Sequence, residues 1–179
     1  FTHADAQVVG RSVKRSAGVG DRADCANVSL LKSPVRPPAD AASRAQVEEL
    51  RRRLARVRAL DAAGKYDEEL PLAEAVERDA ARVGYAPIRA DALLALGIVQ
   101  TAKGRFKPAE ETLVRAAAAA VAGRDDGIAA RAWTTLARVV GGEEQRFDEA
   151  DRWALFAEAI IDRLGSDELR AAWFQNHGT

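Results

Sequence analysis

The sequence predicts an all-α protein, an array of antiparallel helix hairpins with a period of about 40 residues. A motif of two large apolar residues followed by a small one recurs, as Leu-x2-Leu-Gly at 93–97 and Trp-x2-Leu-Ala at 133–137. The small residues are 40 positions apart (137−97=40). A later small residue recurs at Ala109 and Ala150, with 150−109=41, and each begins an apolar helical run. No segment has the alternation of a strand, and alanine, the best helix former, supplies much of the apolar content.

The charge balance and the apolar pattern argue against several classes of partner. Lys+Arg and Asp+Glu each number 27, so no net field draws the chain to nucleic acid, and we expect no nucleic-acid partner. No apolar run approaches the roughly 18 residues that span a bilayer, and no signal peptide is visible. We therefore expect no membrane insertion and a cytoplasmic location. The chain begins at Phe1 and has no methionine, which favours a piece of a longer protein.

Residues 1–39 form the least regular part, an N-terminal segment with a proline-rich connector. Apolar residues at helical spacing predict a short helix over residues 4–16, which Gly18 and Gly20 end. Prolines at 34, 37 and 38 predict an extended connector, because the residue before a proline is driven away from helical angles.

The first helix hairpin spans residues 43–83. Asp40 is suited to cap its first helix, and Gly64 ends that helix. The apolar stripe of the helix consists of Val47, Leu50, Leu54 and Val57. The second helix continues to residue 83 and contains Pro71, which would remove a backbone hydrogen bond. We therefore expect this helix either to start late, next to the proline, or to have a distorted first turn.

Two further hairpins and a single helix follow, so that the array covers residues 40–179. Pro87 and Pro108 mark two helix starts. The N–H groups of the first helical turn have no partner within the helix, so proline, which lacks an N–H, is tolerated there. The second hairpin spans residues 87–122, the third 127–164, and the first helix of a fourth 167–177. Short loops make successive helices antiparallel.

Small residues recur where the two helices of a hairpin meet. These positions are Gly97, Ala109, Ala137, Ala150 and Gly178. Backbones approach closely only where a side chain is nearly absent, so we expect large neighbours to fill the space beside each contact. The predicted neighbours are Leu93, Leu96, Leu113, Trp133, Leu136 and Leu155.

This order of residues resembles the tetratricopeptide repeat. The likeness is carried by LLALG (93–97) with GRFKPAE (104–110), WTTLA (133–137) with QRFDEA (145–150), and a degraded copy, RLARV (53–57) with GKYDEE (64–69). It implies a right-handed superhelix with a concave groove lined by the first helix of each pair. The period of about 40 exceeds the usual 34, which implies longer helices. Val57 and Glu69 replace the small residues of the first copy, so we expect looser packing there.

The longer repeat is similar to repeats that follow the catalytic domain of large bacterial serine/threonine kinases of the myxobacterial type. LARVRALDAAGKYDEELPLAEAV (54–76) carries this likeness, with ADC (23–25) and PVRPPAD (34–40) before it. The likeness implies a regulatory or docking region of such a kinase. The glycine-rich loop, strand lysine, catalytic loop and DFG motif of kinases are missing from the sequence, so we expect no catalysis by this chain.

No catalytic, cofactor-binding or metal-ligating set is visible in the sequence. His3 and His177 have no partner at metal-ligand spacing. Cys25 lacks an activating neighbour, and a lone cysteine cannot form an internal disulfide. The Gly18-Val19-Gly20 stretch follows no strand, so it indicates a turn rather than a phosphate-binding loop. We expect no cofactor and no metal.

The better candidate is the groove that the tetratricopeptide likeness implies. Its predicted residues are Arg58, Asp91, Leu94, Ile98, Thr101, Arg131, Thr134, Arg138 and Gln175, with Arg51 and Leu54 on the same face. This mixture suits a protein partner that presents an extended or helical peptide with an acidic flank. Two alternatives stay open: an architectural role in which the array spaces or dimerises its parent protein, and the effector arm of a nucleotide-regulated transcription activator.

Overall fold

The computed structural model of the chain describes residues 35–177. The helices are α1 (Ala41–Ala62), α2 (Tyr66–Val83), α3 (Ala86–Ala102), α4 (Phe106–Ala122), α5 (Asp126–Arg138), α6 (Phe147–Leu164) and α7 (Asp167–His177), with a π-helical turn at Val139–Glu143. No strand occurs within the described range, so the predicted all-α class is confirmed there. The predicted short helix over residues 4–16 and the small residue Gly178 lie outside the described residues.

Side chains cap three of the helix starts, those of α1, α5 and α7, and at α7 the Leu169 N–H donates to Oγ of Ser166 at 3.4 Å. The Ser43 N–H donates to Oδ1 of Asp40 at 2.7 Å, which confirms the predicted cap of α1 and lowers the pKa of that carboxyl. The Ile128 N–H donates to Oδ1 of Asp125 at 3.0 Å and caps α5 in the same way. These bonds satisfy N–H groups that have no partner within the helix.

One turn geometry closes all three hairpins. A residue with left-handed backbone angles precedes a basic residue and then the aromatic residue that begins the second helix. These turns are Gly64-Lys65-Tyr66, Gly104-Arg105-Phe106 and Gln145-Arg146-Phe147, with φ of 67°, 70° and 57° at the first residue. In the first two hairpins the basic N–H donates to the carbonyl five residues earlier, from Lys65 to Leu60 at 2.9 Å and from Arg105 to Gln100 at 2.8 Å.

The third hairpin contains one additional residue at its turn. The Arg146 N–H donates to the carbonyl of Val140 at 2.9 Å, and 146−140=6. The π-helical turn Val139–Glu143 takes up the extra residue, since a π-turn holds one more residue than an α-turn. The sequence interval is accordingly 40 before this turn (137−97=40) and 41 across it (150−109=41).

The first helices of the pairs form one layer of the protein. Helix α3 contacts α1 and α5, and α7 contacts α5, in addition to the contacts between consecutive helices. Helix α3 therefore has four neighbours, and eleven of its 17 residues are buried. The result is a helical repeat-like architecture with α3 at the centre of the core.

Small residues permit close helix packing, as predicted. A Cβ atom added to Gly97 would lie 2.6 Å from Cγ of Leu113, so no side chain fits between α3 and α4 there. A Cβ at Gly141 would lie 2.8 Å from Cβ of Ala150. The first hairpin lacks such a contact, and α1 and α2 touch less extensively than α3 and α4. This agrees with the looser packing predicted from Val57 and Glu69.

One local prediction is wrong, and one of two alternatives for α2 is excluded. Leu155 is 63% exposed rather than packed, because the buried stripe of α6 consists of Ala150, Ala154, Ala157 and Ile161. The residue equivalent to Leu113 is Ala154 (154−113=41), one position before Leu155. Of the two alternatives for α2, the late start is excluded, since the helix begins at Tyr66 and contains Pro71, which is exposed.

Candidate binding groove

Helices α1, α2, α3 and α5 line a small cavity of about 40 Å³, which we term the Glu69 cavity. Five of its lining residues belong to the predicted groove: Arg58, Asp91, Leu94, Ile98 and Arg131. The others are Val57, Asp61, Glu69 and Ala95. Residues of three successive first helices, separated by 73 positions in the chain (131−58=73), therefore meet at one place.

The remaining predicted groove residues do not line this cavity. Thr101 and Thr134 are only 5% and 6% exposed. Arg138 is half-buried and Gln175 is exposed. Leu94 lines the cavity but is 2% exposed and belongs to the main core cluster. Leu94, Thr101 and Thr134 are thus core residues, which corrects their placement on an accessible surface.

An ion pair joins α1 to α3 at the cavity. A guanidinium nitrogen of Arg58 donates to both carboxylate oxygens of Asp91, at 2.6 Å to Oδ2. The Arg58 side chain is 51% exposed and that of Asp91 is 20% exposed. Because water screens an exposed pair, it contributes at most about 1 kcal/mol to stability. Its main consequence is positional, since it fixes one wall of the cavity.

The cavity contains a buried carboxylate, Glu69. Its side chain is 1% exposed, and Oε2 has no hydrogen-bond partner among the described protein atoms. Burial and, to a smaller extent, the nearby charge of Asp61 together raise the pKa of Glu69 from 4.5 to about 7. A buried acceptor without a partner is unfavourable by about 1 to 3 kcal/mol. The cavity therefore offers an unsatisfied acceptor to any group that can donate a hydrogen bond.

The sequence contains a signal that Glu69 is buried, although Glu69 was interpreted there only as a cause of looser packing. Position 69 corresponds to Ala109 (109−69=40) and then to Ala150 (150−109=41). Both alanines are buried, at 0% and 5% exposure. A carboxylate at a position that the other repeats bury must itself be buried, and buried carboxylates are rare unless they have a partner or a function.

A second cavity, of about 140 Å³, lies beside the Glu69 cavity, since Asp91 lines both. Its other lining residues are Arg51, Pro87, Ile88, Asp125 and Ile128. Arg51 belongs to the predicted groove face and is exposed. The two cavities together extend across α1, α3 and the beginning of α5, so the candidate groove continues beyond the buried carboxylate.

No known protein family, curated protein or solved structure matches this chain. Any functional inference therefore depends on the residues and their geometry. Within residues 35–177, no group of His, Cys, Asp and Glu side chains could hold a metal ion. None of the helices described there is long and apolar enough to cross a bilayer. The groove offers carboxylate acceptors, guanidinium donors and apolar walls, which are the elements of non-covalent recognition.

Proposed function

We propose that the chain is a protein–protein interaction module that resembles a tetratricopeptide array. It binds a peptide segment of a partner along the first helices α1, α3 and α5. One observation carries the proposal. The repeat predicts Arg58, Asp91 and Arg131 as groove residues on three different helices, and all three line one cavity. Stacked helix pairs offer extended surfaces of this kind to their ligands. The exposed guanidinium groups suit the acidic flank of such a peptide.

The parent protein that we propose is a bacterial serine/threonine kinase, with this module as its cytoplasmic regulatory or docking region. Its support is the similarity of residues 54–76 to the repeats of such kinases. The effector arm of a transcription activator is the competing parent. The flanking reading frame distinguishes the two, because a kinase domain carries a glycine-rich loop and a DFG motif.

Self-association is a second candidate function, and a specific observation favours it. The large apolar side chains that are exposed on the last two helices are Phe147, Leu155, Phe156, Leu164 and Phe174. Clusters of exposed apolar side chains are typical of surfaces that contact another protein. Dimerisation through α6 and α7 would let the array join two copies of its parent.

Reversing two charges on α5 tests the binding proposal. The chain is immobilised and used to capture proteins from a lysate of its source cells, which are quantified by mass spectrometry. We expect the double variant Arg131→Glu, Arg138→Glu to capture less than about a tenth as much partner as the original chain. The reason is that the substituted groove repels the acidic flank that the arginines attract. Far-ultraviolet circular dichroism checks that helicity is retained.

The matched control is Arg78→Glu with Arg152→Glu, which makes the same charge change at exposed positions of α2 and α6. This control should capture the partner as the original chain does. Equal capture by the groove variant and the original chain would remove the proposal. Equal loss in both variants would show that overall charge, and not the groove, determines capture.

A further inference from the structure

We propose that the Glu69 cavity is a subsite for an alkylammonium group, the side chain of a lysine that the partner presents, with Glu69 and Asp61 as acceptors. This inference rests on the proposed peptide-binding function and specifies one residue of the peptide. A lysine in the cavity leaves the guanidinium of Arg131, which also lines it, available to an acidic flank. The peptide chemistry is therefore a lysine adjacent to acidic residues.

The size of the cavity selects a small head group. One water molecule needs about 10 to 15 Å³ of such volume, so a cavity of about 40 Å³ admits an ammonium and its last methylene but no aromatic ring. The apolar part of the lining is Val57, Leu94, Ala95 and Ile98. These side chains suit the hydrocarbon stem of lysine, which packs along apolar surface while its charged end reaches polar groups.

The hydrogen-bonding capacity of the cavity selects a donor. Glu69 Oε2 is buried without a partner among the described atoms, and Asp61 lies near enough to raise the pKa of Glu69 by its charge. An ammonium group has three donors and no acceptor, so it can satisfy both carboxylates at once. A ligand carboxylate would instead face two like charges, and an apolar group would leave the buried oxygen unsatisfied.

The remaining charges around the cavity do not cancel this preference. Arg58 is paired with Asp91, so its charge is largely neutralised at short range. Arg131 is exposed, and water screens its repulsion of an entering cation. Glu69, in contrast, is 1% exposed and acts at close range in a less polar environment. A cation that reaches the buried oxygen is therefore attracted more strongly than it is repelled.

This arrangement makes binding depend on pH in a defined direction. The pKa of Glu69 is about 7, so the carboxyl is about half-protonated at neutral pH. A bound ammonium favours the ionised form and lowers that pKa. Affinity for a lysine side chain should therefore increase from pH 6 to pH 8, where lysine, with an ordinary pKa of about 10.4, stays charged.

Carbon NMR of the chain labelled at its glutamate carboxyl groups tests the subsite. The Glu69 signal is assigned by its loss in Glu69→Gln, and its pKa is measured in 0.2 M n-butylammonium chloride and in 0.2 M tetramethylammonium chloride. Tetramethylammonium has the same charge but is bulkier and has no N–H donor. We expect the pKa of Glu69 to be about 0.5 lower in n-butylammonium, as linkage predicts for a Kd of about 0.1 M.

Two controls separate a specific site from a general salt effect. The carboxyl signal of the exposed neighbour Glu68 should be the same in both salts. Asp61→Asn should reduce the n-butylammonium effect on Glu69, whereas Asp67→Asn, on the exposed side of α2, should leave it unchanged. The same pKa of Glu69 in both salts would overturn the proposal, and would indicate a cavity that water occupies.

The NMR measurement of the Glu69 pKa and the capture experiment can fail separately. If capture depends on Arg131 and Arg138 while the Glu69 pKa is insensitive to n-butylammonium, the interaction module stands and the lysine subsite falls. If the pKa responds but capture is unaffected by the charge reversal, the subsite exists and the groove proposal falls.

Discussion

The fold buries Glu69 at a position that suits a small apolar residue, although its side chain is a carboxylate. The repeat places this position between the helices of a hairpin, where Ala109 and Ala150 stand in the next two copies. Its carboxylate is desolvated there, so its ionisation opposes folding. A residue that weakens its own hairpin and lines a cavity is a candidate for function rather than for stability.

The pH dependence of the free energy of unfolding should show how strongly the ionised Glu69 opposes folding. An acid whose folded-state pKa lies above its unfolded value binds its proton more tightly in the folded chain, so its contribution is largest at low pH. For Glu69 that contribution is lost as pH rises from about 4.5 to about 7. We expect Glu69→Gln to gain roughly 2 to 3 kcal/mol of unfolding free energy relative to the original chain between pH 4.5 and pH 8. Urea titrations at several pH values measure it.

The adjacent substitution Glu68→Gln provides the control. Glu68 is exposed, so its substitution should change the free energy of unfolding across this pH range far less than Glu69→Gln does. A Glu69→Gln difference that is equally flat would contradict a raised pKa in the folded chain. A difference of opposite slope would mean that a donor already stabilises the ionised carboxylate.

The repeat placed on one face the five predicted residues that line the Glu69 cavity, but it gave no measure of their depth. Ile98 and Arg131 line the Glu69 cavity as partly or fully exposed side chains, whereas Leu94 and Thr101 are buried. The register gives the direction of a side chain around its own helix. Leu94, Ile98 and Thr101 all lie on α3, so their different burial depends on which side chains of the neighbouring helices cover each of them. Those contacts arise only in the assembled layer and cannot be obtained from one helix.

At the scale of elements, the turns determine how the hairpins align. The basic residue of each turn donates its N–H to the last turn of the preceding helix, over five residues in the first two hairpins and six in the third. The extra residue is taken up by the π-helical turn and not by rotation of α6. Alanine at 150 consequently still faces the preceding helix, against Gly141.

Helix positions could be predicted from the sequence because glycine, proline and capping residues mark the ends. The π-helical turn was missed, although the change of interval from 40 to 41 contains it. A sequence interval shows that a residue is inserted but gives no hydrogen-bond pattern. An added residue in a loop and one inside a helix have the same spacing, and only the backbone distinguishes them.

Removing the extra residue tests this account of the third hairpin. Gly142 is exposed and a Cβ there would meet no atom within 4 Å, so it can be deleted without breaking a side-chain contact. The turn would then match the five-residue closure of the other hairpins. We expect the deletion to change Tm by less than about 4 °C, the effect of about 1 kcal/mol in a domain of this size. Circular dichroism melting measures it.

Deletion of Ala118 is the matched control, because this residue is also small and exposed but lies inside α4. Its loss rotates the rest of the helix by about 100°, which moves the buried Ala120 away from the core. This variant should lose far more stability. If the Gly142 deletion proves as damaging as the Ala118 deletion, the π-helical turn is required and is not a tolerated insertion.

At the scale of the whole molecule, exposed apolar surface is unevenly distributed. Seven large apolar side chains are exposed among the described residues, and five of them belong to α6 and α7. The other two, Val114 and Val121, lie on α4. The same two helices carry seven acidic and three basic residues, so this end of the molecule is also acidic. Association of two copies would therefore be driven by apolar contact at the α6–α7 end, and added salt, which screens the like charges, should not weaken it.

Sedimentation equilibrium of the 179-residue chain tests this candidate. We expect a dimer at micromolar concentration that persists in 0.5 M salt, and we expect Leu155→Glu with Phe174→Glu to convert it to a monomer. Both side chains are more than half exposed, at 63% and 52%, so the charges break an interface without entering the core. Val121→Glu, at a position 56% exposed on α4, adds a charge elsewhere and should leave the dimer intact. A monomer at all concentrations would exclude self-association and would favour peptide binding in the groove over it.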